Sequence, residues 1–298
     1  MSPLDWILEP LSYPFMLRAL AVGIIAATVC AVLSCWLVLV GWSLMGDAVS
    51  HAVLPGVVLA YILGIPFAVG AVVFGFLAVG LIGGVRGGGR VKEDAAIGIV
   101  FTSLFALGLV LISVTPSHTD LNHIVFGSIL GTSGEDLLQV AVLAAVSLTV
   151  LLLKRRDLTL FAFDPVHAFA IGLSPRRLGW LLLGLVALTS VMAIQVVGVV
   201  LVVAMLVIPG ATARLLTERF SRMLVLAPAL SALCTAGGIL VSYWADASPG
   251  GLVVLAQGAV FAAVFLLSPR HGLLRRRTTT AAARRPSPRG TQAPLTET

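Results

Sequence analysis

The chain has 298 residues, of which 59% are hydrophobic and 11% charged, with 19 Lys and Arg against 13 Asp and Glu. Its mean hydropathy of +1.07 excludes a soluble domain with a charged surface. Apolar runs recur from residue 15 to residue 267, and ~20 helical residues cross a ~30 Å bilayer core, so the chain reads as all-α: a polytopic transmembrane helical bundle, not a barrel and not a membrane anchor on a second, soluble domain.

The opening segment, residues 1–14, begins "MSPLDWILEPLSYPFMLR". It carries two acids before its first base and has no basic stretch followed by a small-residue cleavage site, so no removable signal peptide is expected. Apolar runs follow at 15–40, 43–64 and 66–85. Positive residues mark the cytoplasmic side, and an N-terminus inside together with Arg86 inside requires an even number of crossings. The count is therefore eight or nine. Eight is favoured, with Pro55, Gly56, Gly64 and Pro66 marking one interrupted helix in place of two full crossings. Irregular backbone at membrane depth is tolerated only where it is buried in protein or lines a cavity, so a pathway is sought here.

Further spans are expected near 94–114, 135–153, 223–243 and 252–267. Residues 178–213 would measure ~54 Å as one helix at 1.5 Å per residue, yet bases flank both ends. That stretch must go out and return, and a turn near Gln195 to Gly198 gives two short limbs, or one span and a broken half-helix ending at Pro209 and Gly210. The basic clusters at Arg86 to Lys92, Lys154 to Arg156, Arg176 and Arg177, and Arg214 to Arg222 belong inside. The connections 115–136 and 244–251 hold no Lys or Arg and belong outside. The transmembrane body spans 15–272 and the remainder, 273–298, reads as a disordered basic tail on the cytoplasmic side of the cell membrane. Its bases suit anionic lipid headgroups better than nucleic acid. Cys30, Cys35 and Cys234 lie in apolar runs without metal or redox spacing and read as packing residues.

Two features carry chemistry. In "MGDAVSHAVLPG", residues 45–56, Asp47 and His51 stand at i and i+4 and share one helix face. An Asp at the centre of a membrane helix costs roughly 2.5 to 3.5 kcal/mol, so such a sparsely charged chain is unsuited to carry one idly. Imidazole plus carboxylate suits a divalent first-row transition metal. The alternative is that Asp47 and His51 pair with each other or with a neighbouring helix as a satisfied polar contact. As a metal site the pair is incomplete, and water, backbone carbonyls or a second subunit would have to finish it. In the outward loop His118, Asp120 and His123 are weaker candidates, as solvated histidines are common in polar loops. The second feature, "FDPVHAFAIGLSPRR" at 163–177, reads as a two-turn surface helix with Asp164 as N-cap, Pro165 in the first turn and Gly172 past its end. It is either a connector in the headgroup zone or a docking element.

The two lysines, Lys92 and Lys154, stand in no G-x-x-x-x-G-K-[ST] phosphate loop, and H-E-x-x-H is missing, so the chain is expected to be neither its own ATPase nor an intramembrane zinc protease. "GDAVSHAVLPGVVLAYILGIP", "KEDAAIGIVFTSLFALGLVLIS", "DLNHIVFGSILG", "FDPVHAFAIGL" and "VGVVLVVAMLVIPGATARLLTERFSRML" follow one another over residues 15–270. In order and spacing they resemble the permease subunits of metal-ion ABC importers of the manganese, zinc and iron group. The resemblance implies a second permease copy, the same or a related chain, two cytoplasmic ATPase subunits binding ATP, and an extracytoplasmic metal-binding protein. It also implies that Asp47 and His51 match the family's intramembrane metal pathway and that Asp164, Pro165, Ala168, Ala170 and Gly172 lie in its ATPase-coupling element. The cargo expected is Mn2+, with Zn2+ next and Fe2+ also open, and no permanently bound cofactor. A rival reading, a stand-alone ion-coupled secondary transporter, would want an internal repeat with acids in both halves, and no second Asp47 and His51 equivalent occurs.

Overall fold

The computed structural model describes residues 8–42, 44–87, 92–115 and 129–267. His118, Asp120 and His123, and the tail, lie outside the described residues. The helices are α1 Pro14–Val40, α2 Met45–Ala52, α3 Leu54–Leu63, α4 Phe67–Gly87, α5 Glu93–Val114, α6 Gly134–Leu153, α7 Arg155–Phe163, α8 Pro165–Ala170, α9 Pro175–Val197, α10 Val199–Leu216, α11 Phe220–Ala245 and α12 Pro249–Leu267.

Apolar composition decides where each helix sits. A helix that is hydrophobic all round belongs in the interior of a bundle or in lipid. In α1, 72% of the most apolar stretch is buried within the chain, against 11% in α12. Thus α1 is the central post, packed chiefly on α11 and α10, and α12 lies at the periphery. Helix α1 stops at Gly41, whose φ of 84° is the left-handed C-cap that lets the Trp42 N–H reach back to the Leu37 carbonyl, at 2.8 Å.

Contacts along α1 fix the directions. Tyr13, before its first residue, meets Tyr243 near the end of α11 with ring centroids 6.0 Å apart, and Trp36 meets Phe220 at the start of α11 at 5.1 Å. The Trp36 indole N–H also donates to Thr159 on α7 at 3.3 Å. One end of the bundle therefore gathers Trp36, α7, α8 and the bases around Lys154 and Arg219, and α1 begins at the opposite end.

Seven helices are long and apolar enough to cross a membrane, with Met45–Leu63 counted as one across its break, and two shorter apolar stretches, Val69–Val85 and Leu201–Leu216, join them among the described residues. The spans expected near 94–114, 135–153, 223–243 and 252–267 appear as α5, α6, α11 and α12. The 178–213 stretch turns at Gly198, as expected, and α10 does not end at Pro209 and Gly210 but continues through them to Leu216. The expectation of one interrupted helix over 43–85 is corrected. The chain reverses at Gly64, with φ 65°, and α3 and α4 form an antiparallel hairpin of two limbs, the other of the two alternatives for this region. The interruption that does exist, at Val53, lies within the outgoing limb.

That hairpin is closed by two glycines. A methyl on Gly56 would overlap the Gly70 carbonyl oxygen, and one on Gly70 would overlap that of Gly56 and stand 2.8 Å from the Ala60 methyl carbon. Small residues let membrane helices approach backbone to backbone, and here the obstacle is main chain, which cannot rotate aside. Gly70→Ala should therefore destabilise the protein by ~1 to 3 kcal/mol, the usual cost of overpacking. The expected readout is a lower thermal midpoint in detergent, while the same change at Gly80, where a methyl meets nothing within 4 Å, leaves it unchanged.

Candidate functional site

The break at Val53 makes α2 only 8 residues long, and its two ends carry the two candidate ligands. Asp47 lies in the first turn, where free N–H groups and the helix dipole favour an anion, and His51 lies one turn further on, at the carbonyl that Pro55 leaves without its helical donor. The cost expected for a mid-helix Asp is thereby reduced, since Asp47 stands at a helix terminus inside the span. Pro55 enforces the break. It occupies the first turn of α3, and without an N–H it cannot supply the helical donor four residues back, to the His51 carbonyl.

Nε2 of His51 lies 3.2 Å from Oδ1 of Asp47. Two ligand atoms each about 2.1 Å from one ion, at roughly 100° to each other, are separated by about 3.2 Å. The pair thus has the spacing of neighbouring ligands on a single cation, and it is equally within reach of a direct hydrogen bond. Their side chains are 26% and 36% exposed for His51 and Asp47, so one side of the pair is open in the single chain.

The remaining faces of α2 are packed. Ser50 is buried and its hydroxyl donates to the Gly46 carbonyl at 2.7 Å. A methyl on Gly46 would stand 2.7 Å from Leu206 Cδ1, which brings α2 close against the middle of α10. The His51 ring lies 5.3 Å from Phe101 and 5.2 Å from Phe105, both on α5, an environment that pair spacing alone did not reveal. Among the described residues no group of three or more His, Cys, Asp or Glu gathers to hold a metal, so Asp47 and His51 have no third such partner there.

The second feature forms at the basic end. The Asp164 carboxylate accepts from the His167 N–H at 2.8 Å, Pro165 starts α8, and Gly172 with φ 88° follows its end. The Leu173 N–H reaches the Ala168 carbonyl and the Gly172 N–H that of Phe169, each at 3.0 Å, the paired bonds of a Schellman ending. Ala168 is buried, and Ala170 and Gly172 are exposed. Val166, Phe169 and Ile171 present apolar side chains outward, 78%, 73% and 57% exposed. Just before α8, Phe161 of α7 packs edge-on against Trp42, with centroids 6.2 Å apart. Trp42 stands five residues ahead of Asp47, so one aromatic contact joins α7, which leads into α8, to the segment leading into α2.

A helical bundle holding a polar pair at a break inside one span, with a capped apolar helix at its basic end, has the architecture of a membrane transport subunit. The chain belongs to the ABC 3 transport family, which residues 12–268 match, and it is a permease subunit of an ABC transporter, not an enzyme. It is 50% identical over 269 residues to the manganese transport system membrane protein MntB of Synechocystis sp., covering 90% of this chain and 88% of that protein. It is 46% identical over 285 residues to the chelated iron transport system membrane protein YfeC of Yersinia pestis, covering 96% and 97%. The solved structure of PsaBC from Streptococcus pneumoniae in complex with Fab is similar with a TM-score of 0.84 at 36% identity, over 93% of this chain and 100% of that chain.

Proposed function

We propose that this chain is the permease of an ATP-driven importer of divalent transition-metal ions, with Mn2+ as the favoured cargo, and that the ion passes Asp47 and His51 by alternating access. The observation that carries the reading is the 3.2 Å separation of a carboxylate oxygen and an imidazole nitrogen at a helix break inside a membrane span. Carboxylate and imidazole together suit first-row divalent ions. The names of relatives at 46 to 50% identity, manganese and iron transport proteins, support the same class of cargo.

The open side of the pair and the lack of a third ligand among the described residues support completion of the site by a second copy of this chain or a related permease. The outward apolar side chains of α8 support docking of a cytoplasmic ATPase subunit there, one per permease copy. The basic clusters at that end support its placement in the cytoplasm, with the C-terminal tail on the same side of the inner membrane. An extracytoplasmic metal-binding protein would deliver the ion at the opposite mouth. A ligand biases a two-state equilibrium only through its different affinity for the two states. The site should accordingly bind the ion more tightly when open outward. ATP-driven movement of α8 would reach it through Phe161 and Trp42.

Fe2+ is the second reading, favoured by the iron-named relatives, and Zn2+ is accepted by the same ligand pair. The test is elemental mass spectrometry of cells grown in metal-poor medium, with and without the intact gene. A loss of cellular manganese restored by complementation is expected. Loss of iron or zinc alone would replace the cargo, and unchanged content of all three metals in cells lacking other importers would refute metal import.

A further inference from the structure

Metal-binding imidazoles are commonly oriented by a hydrogen bond on their second ring nitrogen. Besides Asp47 at Nε2, the contacts seen on the His51 ring are aromatic. Phe101 and Phe105 stand four residues apart on one face of α5 and stack on each other, with centroids 6.1 Å apart and planes 27° apart. The imidazole meets Phe101 at 55° and Phe105 edge-on at 82°. Two rings approaching at different angles fix both the position and the tilt of a side chain with two rotatable bonds.

We propose that Phe101 and Phe105 are positioning residues for the metal step: they hold the His51 ring with Nε2 turned toward Asp47, and by doing so set the preference for ions that accept nitrogen over Ca2+ and Mg2+. The inference rests on the Asp47 and His51 pathway proposed above and deepens it. Ca2+ and Mg2+ take oxygen ligands, whereas Mn2+, Fe2+ and Zn2+ accept imidazole. Asp47 alone offers every divalent cation the same oxygen. Discrimination in this pair therefore falls to the nitrogen, and a nitrogen discriminates only while its lone pair is aimed at the ion. The two rings also place apolar surface along one side of the imidazole, so no oxygen from that side can make up for a misdirected nitrogen.

Ring removal at constant apolar character tests this. Phe101→Leu, Phe105→Leu and the double variant would be assayed in the assembled importer, at matched membrane levels, for Mn2+ uptake across a range of concentrations and for competition by excess Ca2+. The expected result is a rise in half-saturating Mn2+ of about tenfold in the double variant, the usual scale for losing an orienting partner of a metal ligand. Maximal rate should stay near that of the parent, competition by Ca2+ should strengthen, and Phe101→Tyr, which keeps the ring, should restore the parent values. A lower maximal rate with unchanged half-saturation and unchanged Ca2+ competition would assign the rings to packing and overturn the proposal. Should the double variant not reach the membrane, the single variants decide by the same two readouts. His51→Ala separates the levels. If it leaves uptake intact, the pathway itself is elsewhere; if it abolishes uptake while the Leu variants behave as the parent, only the aromatic positioning fails.

Discussion

Asp47→Asn and His51→Gln should each lower Mn2+ uptake by at least about 100-fold at matched membrane levels, a loss beyond that of a supporting residue around a metal site. These two substitutions are chosen because they are nearly isosteric. An Asn at 47 still accepts a hydrogen bond from the His51 ring, and a Gln at 51 still reaches an acceptor one turn back. If the 3.2 Å contact were only a satisfied polar pair bracing α2, both variants would keep a hydrogen bond and most of the transport. As part of a metal path they lose what the ion requires, a full negative charge in one case and a nitrogen lone pair in the other. Folding is not the obstacle. Neither side chain is buried, and the helix N-terminus that Asp47 occupies accepts a neutral polar residue with a loss of only ~0.3 to 1 kcal/mol of dipole interaction. Retention of at least half of the parent uptake by both variants would sink the pathway. The incomplete ligand set adds a second readout. Equilibrium binding to the assembled importer should saturate at one Mn2+ for every two permease chains, and a value of one per chain would show that each copy completes its own site.

The physical reasons for what the sequence disclosed differ from element to element. Hydropathy placed α5, α6, α11 and α12 because each is a single uninterrupted span bounded by charges or turn residues. Helix α8 was legible down to its caps because Asp164, Pro165 and Gly172 act locally: a side-chain acceptor, a fixed φ and a left-handed residue need no tertiary partner. The 43–85 region was misread because Pro55 and Pro66 look alike in sequence. One lies in the first turn of a collinear continuation and the other follows a full reversal, and the Gly56 and Gly70 crossing that closes the hairpin is a long-range contact without a local signature. Asp47 and His51 were found as a pair by i, i+4 spacing. That Asp47 sits in the first turn of α2 and His51 just before the interruption at Val53 emerges only with the backbone. The contact of His51 with α5 joins residues fifty positions apart, and nothing in either segment announces it.

Phe169→Asp is the other substitution with a large expected effect, and its logic rests on exposure. The ring is 73% exposed, so a charge there creates no cavity and buries nothing, and changes at such positions move folding stability by only about ±0.5 kcal/mol. An exposed Phe on a rigid capped helix, flanked by Val166 and Ile171, nevertheless has the character of an anchor for a partner pocket, and aromatic anchors typically account for 2 kcal/mol or more of binding. Loss of that amount weakens association by about 30-fold at 1.4 kcal/mol per factor of ten. The permease should therefore reach the membrane at normal levels and lose most of the ATPase subunit on purification, and uptake should fall in proportion. Phe169→Leu should retain both, because it keeps the apolar contact. Ala168→Asp would be uninformative, since Ala168 is fully buried and a charge there dismantles the element itself. If Phe169→Asp copurifies with the ATPase as the parent does, and ATP hydrolysis by the complex is unchanged, then α8 lies in the headgroup zone as a connector. The force that opens the pathway would then enter the bundle somewhere other than the Phe161 and Trp42 contact.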